Sequence, residues 1–124
     1  MNPRQQLGHD GEAIVVKHLI KEGFIILATN YNTRFGELDI VAQNGEVVAF
    51  IEVKTRKHAY FPISMTVNFS KQQKLLKAAK HFVMDNRIYD SVLRFDVATI
   101  EYKETSYHLE YIPNAFNPQG YVWF

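Results

Sequence analysis

Val47 to Arg56 reads Val-Val-Ala-Phe-Ile-Glu-Val-Lys-Thr-Arg, an apolar run that passes into charge with no turn residue between. Its length and its β-branched and aromatic content predict a strand buried on both faces, and so a central one to which the rest of the chain must add neighbours. Side chains alternate along a strand, so Val48, Phe50, Glu52 and Lys54 share one face and Val47, Ala49, Ile51 and Val53 the other. A carboxylate and an ammonium therefore leave the core side by side, a costly place for charge unless something uses it.

The preceding residues supply two antiparallel neighbours. Phe24 to Tyr31 reads as a strand, Asn32-Thr33-Arg34 as a turn, and Phe35 to Ala42 as a second strand. In the second strand Glu37, Asp39 and Val41 share a face opposite Leu38, Ile40 and Ala42. Asn44-Gly45 is a two-residue hairpin signal. Pairing across it sets Gln43 opposite Glu46 and brings Asp39 opposite Phe50, one same-face step from Glu52.

Helices flank this core on both sides in sequence. Asn2 and Pro3 predict a helix start and Gly23 its stop, with Val15, Val16, Leu19 and Ile20 on one stripe. Glu12 lies within that stripe and Gly8 one turn earlier leaves space beside it; the carboxylate either reaches solvent near the helix start or aims into the protein. After the central strand, Lys57 to Phe69 is a loop with Pro62. Ser70 and Gln73 form a capping box for a helix with Leu75, Leu76, Ala79, Phe82 and Val83 on its apolar face. Lys74, Lys77 and Lys80 read as a solvated face. Lys71 and Gln72 lie on or beside the apolar face, either satisfied locally or aimed at whatever sits under the helix start, where anions are favoured. Val92 to Tyr102 and Tyr107 to Ile112 are further strands, and a tail with Tyr121, Trp123 and Phe124 either packs back on the domain or offers a self-association surface. This order predicts an α/β fold, αβββαβ, with a mixed central sheet flanked by helices in a single domain over residues 1–124.

Composition narrows the chemistry. With no cysteine there are no disulfides, thiolate metal sites or cysteine nucleophiles, which fits a cytoplasmic protein. No apolar run approaches membrane-spanning length, so no membrane partner is expected. A formal net charge of +1 leaves no overall footprint for nucleic acid, so any basic surface must be local.

Glu12, Asp39, Glu52 and Lys54 converge at one end of the predicted sheet. Three carboxylates brought together away from water cannot all ionise without a compensating cation. Oxygen donors of this kind suit Mg²⁺ or Mn²⁺ rather than zinc. A lysine beside a metal carboxylate makes sense where an anion must bind too, and a phosphodiester meets that need: the metal acidifies attacking water and Lys54 steadies the developing charge or orients that water. Glu-x-Lys alone carries little information, since chance supplies about 0.6 copies in a chain of this composition. Glu101-Tyr102-Lys103 is a second copy, leading into a polar turn. Context separates the two.

Gly36-Glu37-Leu38-Asp39, followed after twelve residues by Glu52-Val53-Lys54-Thr55-Arg56, resembles the restriction-endonuclease-like superfamily with its PD-(D/E)XK signature. With Gly8 to Ala13, Asn30-Tyr31, Lys71, Arg94-Phe95-Asp96 and Asn114-Ala115-Phe116, the chain resembles the YraN family, which is similar to archaeal Holliday junction resolvases. Leu38 stands where the signature has proline, which contributes no ligand. The resemblance implies a metal-dependent nuclease centre of Glu12, Asp39, Glu52 and Lys54, with the Val53 carbonyl as a further ligand. It also implies DNA as partner, branched DNA in particular, and a homodimer, since a junction offers two symmetric strands. For a DNA-acting protein, Arg34, Arg56, Lys71 and Gln72 are the substrate-binding expectations, with Lys54 and Lys57 in the same basic surface. Two other readings use the same residues: a nucleic-acid-binding module with little or no turnover, and a protein-interaction domain whose acids pair with Lys54 and Arg56.

Overall fold

The computed structural model describes residues 2–57 and 67–117, and for residues 4–9 the backbone alone. The expected Pro62 loop over 58–66, the aromatics Tyr121, Trp123 and Phe124, and the surroundings of Gly8 lie outside the described residues. The elements follow in the order α1 (Pro3–Lys21), β1 (Ile25–Thr33), β2 (Gly36–Asn44), β3 (Val47–Lys57), α2 (Phe69–Asp85), β4 (Val92–Tyr102) and β5 (Tyr107–Phe116).

The five strands form one sheet in sequence order, antiparallel except where β3 and β4 run parallel. The β3–β4 connection passes through α2, as a parallel pair requires. The apolar run that opened the chain's logic is thus the middle strand. Its two faces belong to two cores: Val48 and Phe50 pack with Leu75, Leu76, Ala79, Phe82 and Val83 of α2, whereas Ala49 and Ile51 pack with Val15 and Leu19 of α1. This is an α/β architecture consistent with a restriction-endonuclease-like core. No helix of the described residues is long and apolar enough to cross a membrane.

Local signals set most boundaries. Gly23 takes φ +96° after α1 and donates to Ile20, while Phe24 donates to Leu19, the paired bonds that close a helix end on a left-handed residue. Several expectations shift. Ile20 is 58% exposed, because the buried line of α1 runs through Gly11, Val15 and Leu19 at four-residue spacing. Asn68, not Ser70, caps α2: its side chain accepts from the Lys71 N–H, and the helix starts at Phe69. The first hairpin turns at Arg34-Phe35 rather than 32–34, and β5 continues past Ile112 to Phe116.

One shift matters for the site. The β2–β3 hairpin turns on Gly45-Glu46, with Gly45 at φ +59°, so Asn44 faces Val47 and Ile40 faces Ile51. Continuing that register sets Asp39 level with Glu52 instead of Phe50. The alternation of β2 also breaks there: Ile40 and Ala42 pack on the α1 side, whereas Leu38 joins Val41 on the α2 side. Across β1, Asn30 occupies the place facing Asp39 and takes φ +50°, a left-handed conformation that Asn tolerates better than most residues. The sheet kinks at Asp39.

Candidate active site

Four elements deliver charged side chains to this kink. Helix α1 brings Glu12 because Gly11 lets it sit close on β3: a Cβ at Gly11 would lie 2.1 Å from Thr55 Cγ2. Strand β2 brings Glu37 and Asp39. Glu12, Glu37 and Asp39 each offer a carboxylate oxygen, and the three oxygens lie within 4.8 Å of one another. Strand β3 brings Glu52, only 8% exposed, and Lys54 two residues on along the same face. The N-terminal turn of α2 brings Lys71, whose Nζ lies 2.6 Å from Glu52 Oε1.

The β2–β3 ladder ends at Ile40 and Ile51, and beyond it the strands are tied by a side chain. The Val53 N–H donates to Asp39 Oδ2 at 2.9 Å. An extended residue directs its N–H and C=O to the same side, so the Val53 carbonyl faces the same gap. That adds a neutral oxygen to the carboxylates.

Burial and like charge act on the cluster together. Burial, then the charge of Glu52, then Glu12 and Glu37, push the Asp39 carboxyl up to about 7, against an opposing pull from the Val53 N–H. Burial lowers the Lys54 ammonium and the nearby Lys71 lowers it further, while Glu52 raises it. Lys71 is raised on balance: burial lowers it, but Glu52, through hydrogen bond and charge, and Asp39 outweigh that. An all-oxygen donor set with a carboxyl held this far above its ordinary value fits a hard divalent cation.

Of the sequence expectations, Glu12, Asp39, Glu52, Val53 and Lys54 gather here, and Lys71 joins them. Arg56 follows Lys54 on the same face of β3. Arg34 sits on the β1–β2 turn with its guanidinium 4.8 Å from the Phe35 ring centroid. Gln72 donates its amide to the Val67 carbonyl at 2.7 Å, a local bond. Lys57 ends β3, exposed. Glu37 was not expected as a ligand. Its signal was present, since period two puts it on the Asp39 face one step away. The pairing of Glu52 with Lys71 needed the fold, because Lys71 lies nineteen positions on in the chain, in the first turn of the next element.

A second charged cluster lies in the α1-side core. Asp96 is fully buried and accepts from Arg94 Nε at 2.9 Å and Arg94 Nη2 at 3.0 Å, from the Tyr111 hydroxyl and from the Asn114 N–H at 2.8 Å. These bonds stitch β5 where its register with β4 shifts between Phe95 and Val97. Arg94-Phe95-Asp96 and Asn114 are thus accounted for as structure.

A profile of the family described as "Uncharacterised protein family UPF0102" matches residues 11–100, a span that holds every residue of the acidic cluster. The chain is 41% identical over 114 residues to a UPF0102 protein of Alkaliphilus metalliredigens, covering 90% of this chain and 98% of the relative. It is 37% identical over 114 residues to one of Methylobacillus flagellatus, covering 91% and 98%. A third, of Caldicellulosiruptor bescii, is 44% identical over 98 residues, covering 77% and 82%.

Proposed function

The chain belongs to the UPF0102 family, and from that premise we propose that it hydrolyses phosphodiester bonds in DNA, branched DNA in particular, with Mg²⁺ or Mn²⁺. The observation that carries this reading is the convergence of Glu12, Glu37 and Asp39, whose carboxylate oxygens lie within 4.8 Å of one another, with the buried Glu52 and Lys54 on the neighbouring strand. Groups arranged to stabilise the fold would not be expected to oppose one another in this way.

Glu12, Asp39, Glu52 and the Val53 carbonyl would hold the ion, with Glu37 adding a carboxylate at its edge. Bound there, a divalent metal polarises a phosphoryl oxygen and acidifies water. The protein's own groups do the rest. The Val53 N–H fixes the Asp39 carboxylate in orientation. Gly11 seats Glu12 by permitting close docking of α1. Lys54 supplies a cation for the charge that gathers on the phosphate, and Lys71 a second one for the strand. A homodimer would present two such centres to the two strands of a junction.

Duplex, single-stranded, flapped and four-way-junction DNA, each incubated with Mg²⁺, Mn²⁺ or chelator, tests the reading. Cleavage that requires either ion, greatest on branched DNA, supports it; an intact panel contradicts it. A second reading, a nucleic-acid-binding module with little turnover, is favoured by one contact: in the Lys71–Glu52 pair an ammonium neutralises a carboxylate that the nuclease reading assigns to the metal. DNA binding without cleavage would support that alternative.

A further inference from the structure

Beside the carboxylates, on the α2 side, a groove of about 310 Å³ opens between the β1–β2 turn and the first turns of α2. Phe35, the buried Leu75, Ser70, Lys71 and Lys74 line it, and Glu37 of the acidic trio borders it. Phe35 belongs to neither core cluster. It stands half-buried on the turn, with Arg34 at 4.8 Å and Lys77 at 5.8 Å from its ring centroid. The turn is tightly held: Thr33 Oγ1 accepts from the N–H groups of Phe35 at 3.0 Å and Gly36 at 3.2 Å, and donates to the Gly36 carbonyl at 2.8 Å. A turn whose backbone is held in this way carries an aromatic ring, with cations over it, in a basic groove next to the acids.

We propose that this groove holds one unpaired nucleotide of a DNA strand, with its base stacked on Phe35 and its phosphates on Lys71 and Lys74. The substrate class of the site is then DNA with a single-stranded segment next to the bond to be cut. The assignment rests on the nuclease reading for the place of that bond. An unstacked base offers the ring a π face whatever its identity, and lysines match the backbone charge. A duplex keeps its bases stacked on each other and offers no such face. The groove is at the lower end of the ~300–1,000 Å³ typical of small-ligand sites, which suits one nucleotide and not a double helix.

Fluorescence anisotropy of the full chain in chelator, so that nothing is cut, tests this with three probes: an oligothymidylate, an abasic strand of equal length and a blunt duplex. Wild type should prefer the oligothymidylate. Phe35→Ala should lose roughly 5- to 100-fold on it and nothing on the abasic strand, whose unchanged binding also reports an intact fold. Phe35→Trp should bind as wild type, Phe35→Leu as Phe35→Ala. Lys74→Gln should weaken both single strands and reduce the salt dependence. Equal binding of oligothymidylate by wild type and Phe35→Ala, or by wild type and Phe35→Leu, overturns the assignment. Wild type that binds none of the probes overturns the groove assignment, whereas the nuclease reading stands or falls on the cleavage panel with Mg²⁺ or Mn²⁺. Base-dependent binding through Phe35 without cleavage in Mg²⁺ would remove the nuclease reading and leave the groove assignment standing.

Discussion

Asp39 and Val53 are joined where their strands part: the carboxylate of one accepts the backbone N–H of the other at 2.9 Å, immediately beyond the last ladder pair. A side chain that stands in for a strand neighbour is held in place by the sheet itself. It also stands among Glu12, Glu37 and Glu52, whose charges oppose its own. Rigidity and electrostatic strain at one carboxylate are the basis of the account.

That strain sets a pH dependence. A carboxyl raised to about 7 in the fold, from about 3.9 in the unfolded chain, keeps a proton that the unfolded chain releases. The metal-free protein should therefore lose stability as pH rises from about 4 to about 7, by on the order of a few kcal/mol. Denaturant titrations in chelator should show this decline in wild type and a flatter profile in Asp39→Asn. Parallel profiles for the two would mean that Asp39 is not the raised group.

Helix α1 depends on the missing Cβ at Gly11. Gly11→Ala drives a methyl onto Thr55 Cγ2 and should cost about 1–3 kcal/mol, while displacing Glu12 from its partners. Thr55→Ser removes the offending methyl and should restore most of the loss in the double variant. Chemical denaturation of the four proteins gives the coupling energy; additive effects would show that the close approach is not what limits α1.

Asp96 carries four hydrogen bonds in the core. Asp96→Ala strands the half-buried Arg94 guanidinium and leaves the Tyr111 hydroxyl and Asn114 N–H unsatisfied, so a loss of about 3–5 kcal/mol is expected. Tyr111→Phe removes one donor and should cost about 1–3 kcal/mol. Thermal unfolding read by circular dichroism checks both, and a fall in Tm for Tyr111→Phe as large as for Asp96→Ala would contradict this ranking.

The architecture was legible because hydrophobic periodicity is strong in β3, β4 and α2, where burial on two faces or one leaves little choice. The convergence of Glu12, Asp39, Glu52 and Lys54 followed from the same periodicity. What escaped was local. A hairpin turning one residue later than the Asn44-Gly45 signal moved Asp39 from Phe50 to Glu52, because Gly45 takes the first turn position rather than the second. The kink at Asn30 and Asp39, which sends Leu38 to the face opposite Ile40, has no periodic signature. Nor could spacing show that Lys71 reaches Glu52 or that Phe35 stands outside the cores, since both depend on how α2 docks.

Lys71 competes with a divalent ion for Glu52. Lys71→Gln should tighten Mn²⁺ binding by about 2–5-fold, a modest gain because half of the Lys71 side chain is exposed and its pair is screened. Calorimetric titration without DNA reads this directly. Weaker Mn²⁺ binding in the variant would show that Lys71 supports the ion site instead of opposing it.

The most direct test of the central claim is single-turnover cleavage of four-way-junction DNA in Mg²⁺ by wild type, Asp39→Asn and Lys54→Ala, with folding of each verified by circular dichroism. The account predicts that wild type cuts and that Asp39→Asn falls by more than the ~10–100-fold seen when a metal site loses an outer partner. Lys54→Ala should cut slowly with its metal affinity retained. Cleavage at the wild-type rate by both variants would contradict the account, and the gathered carboxylates would then have to be explained without phosphodiester chemistry.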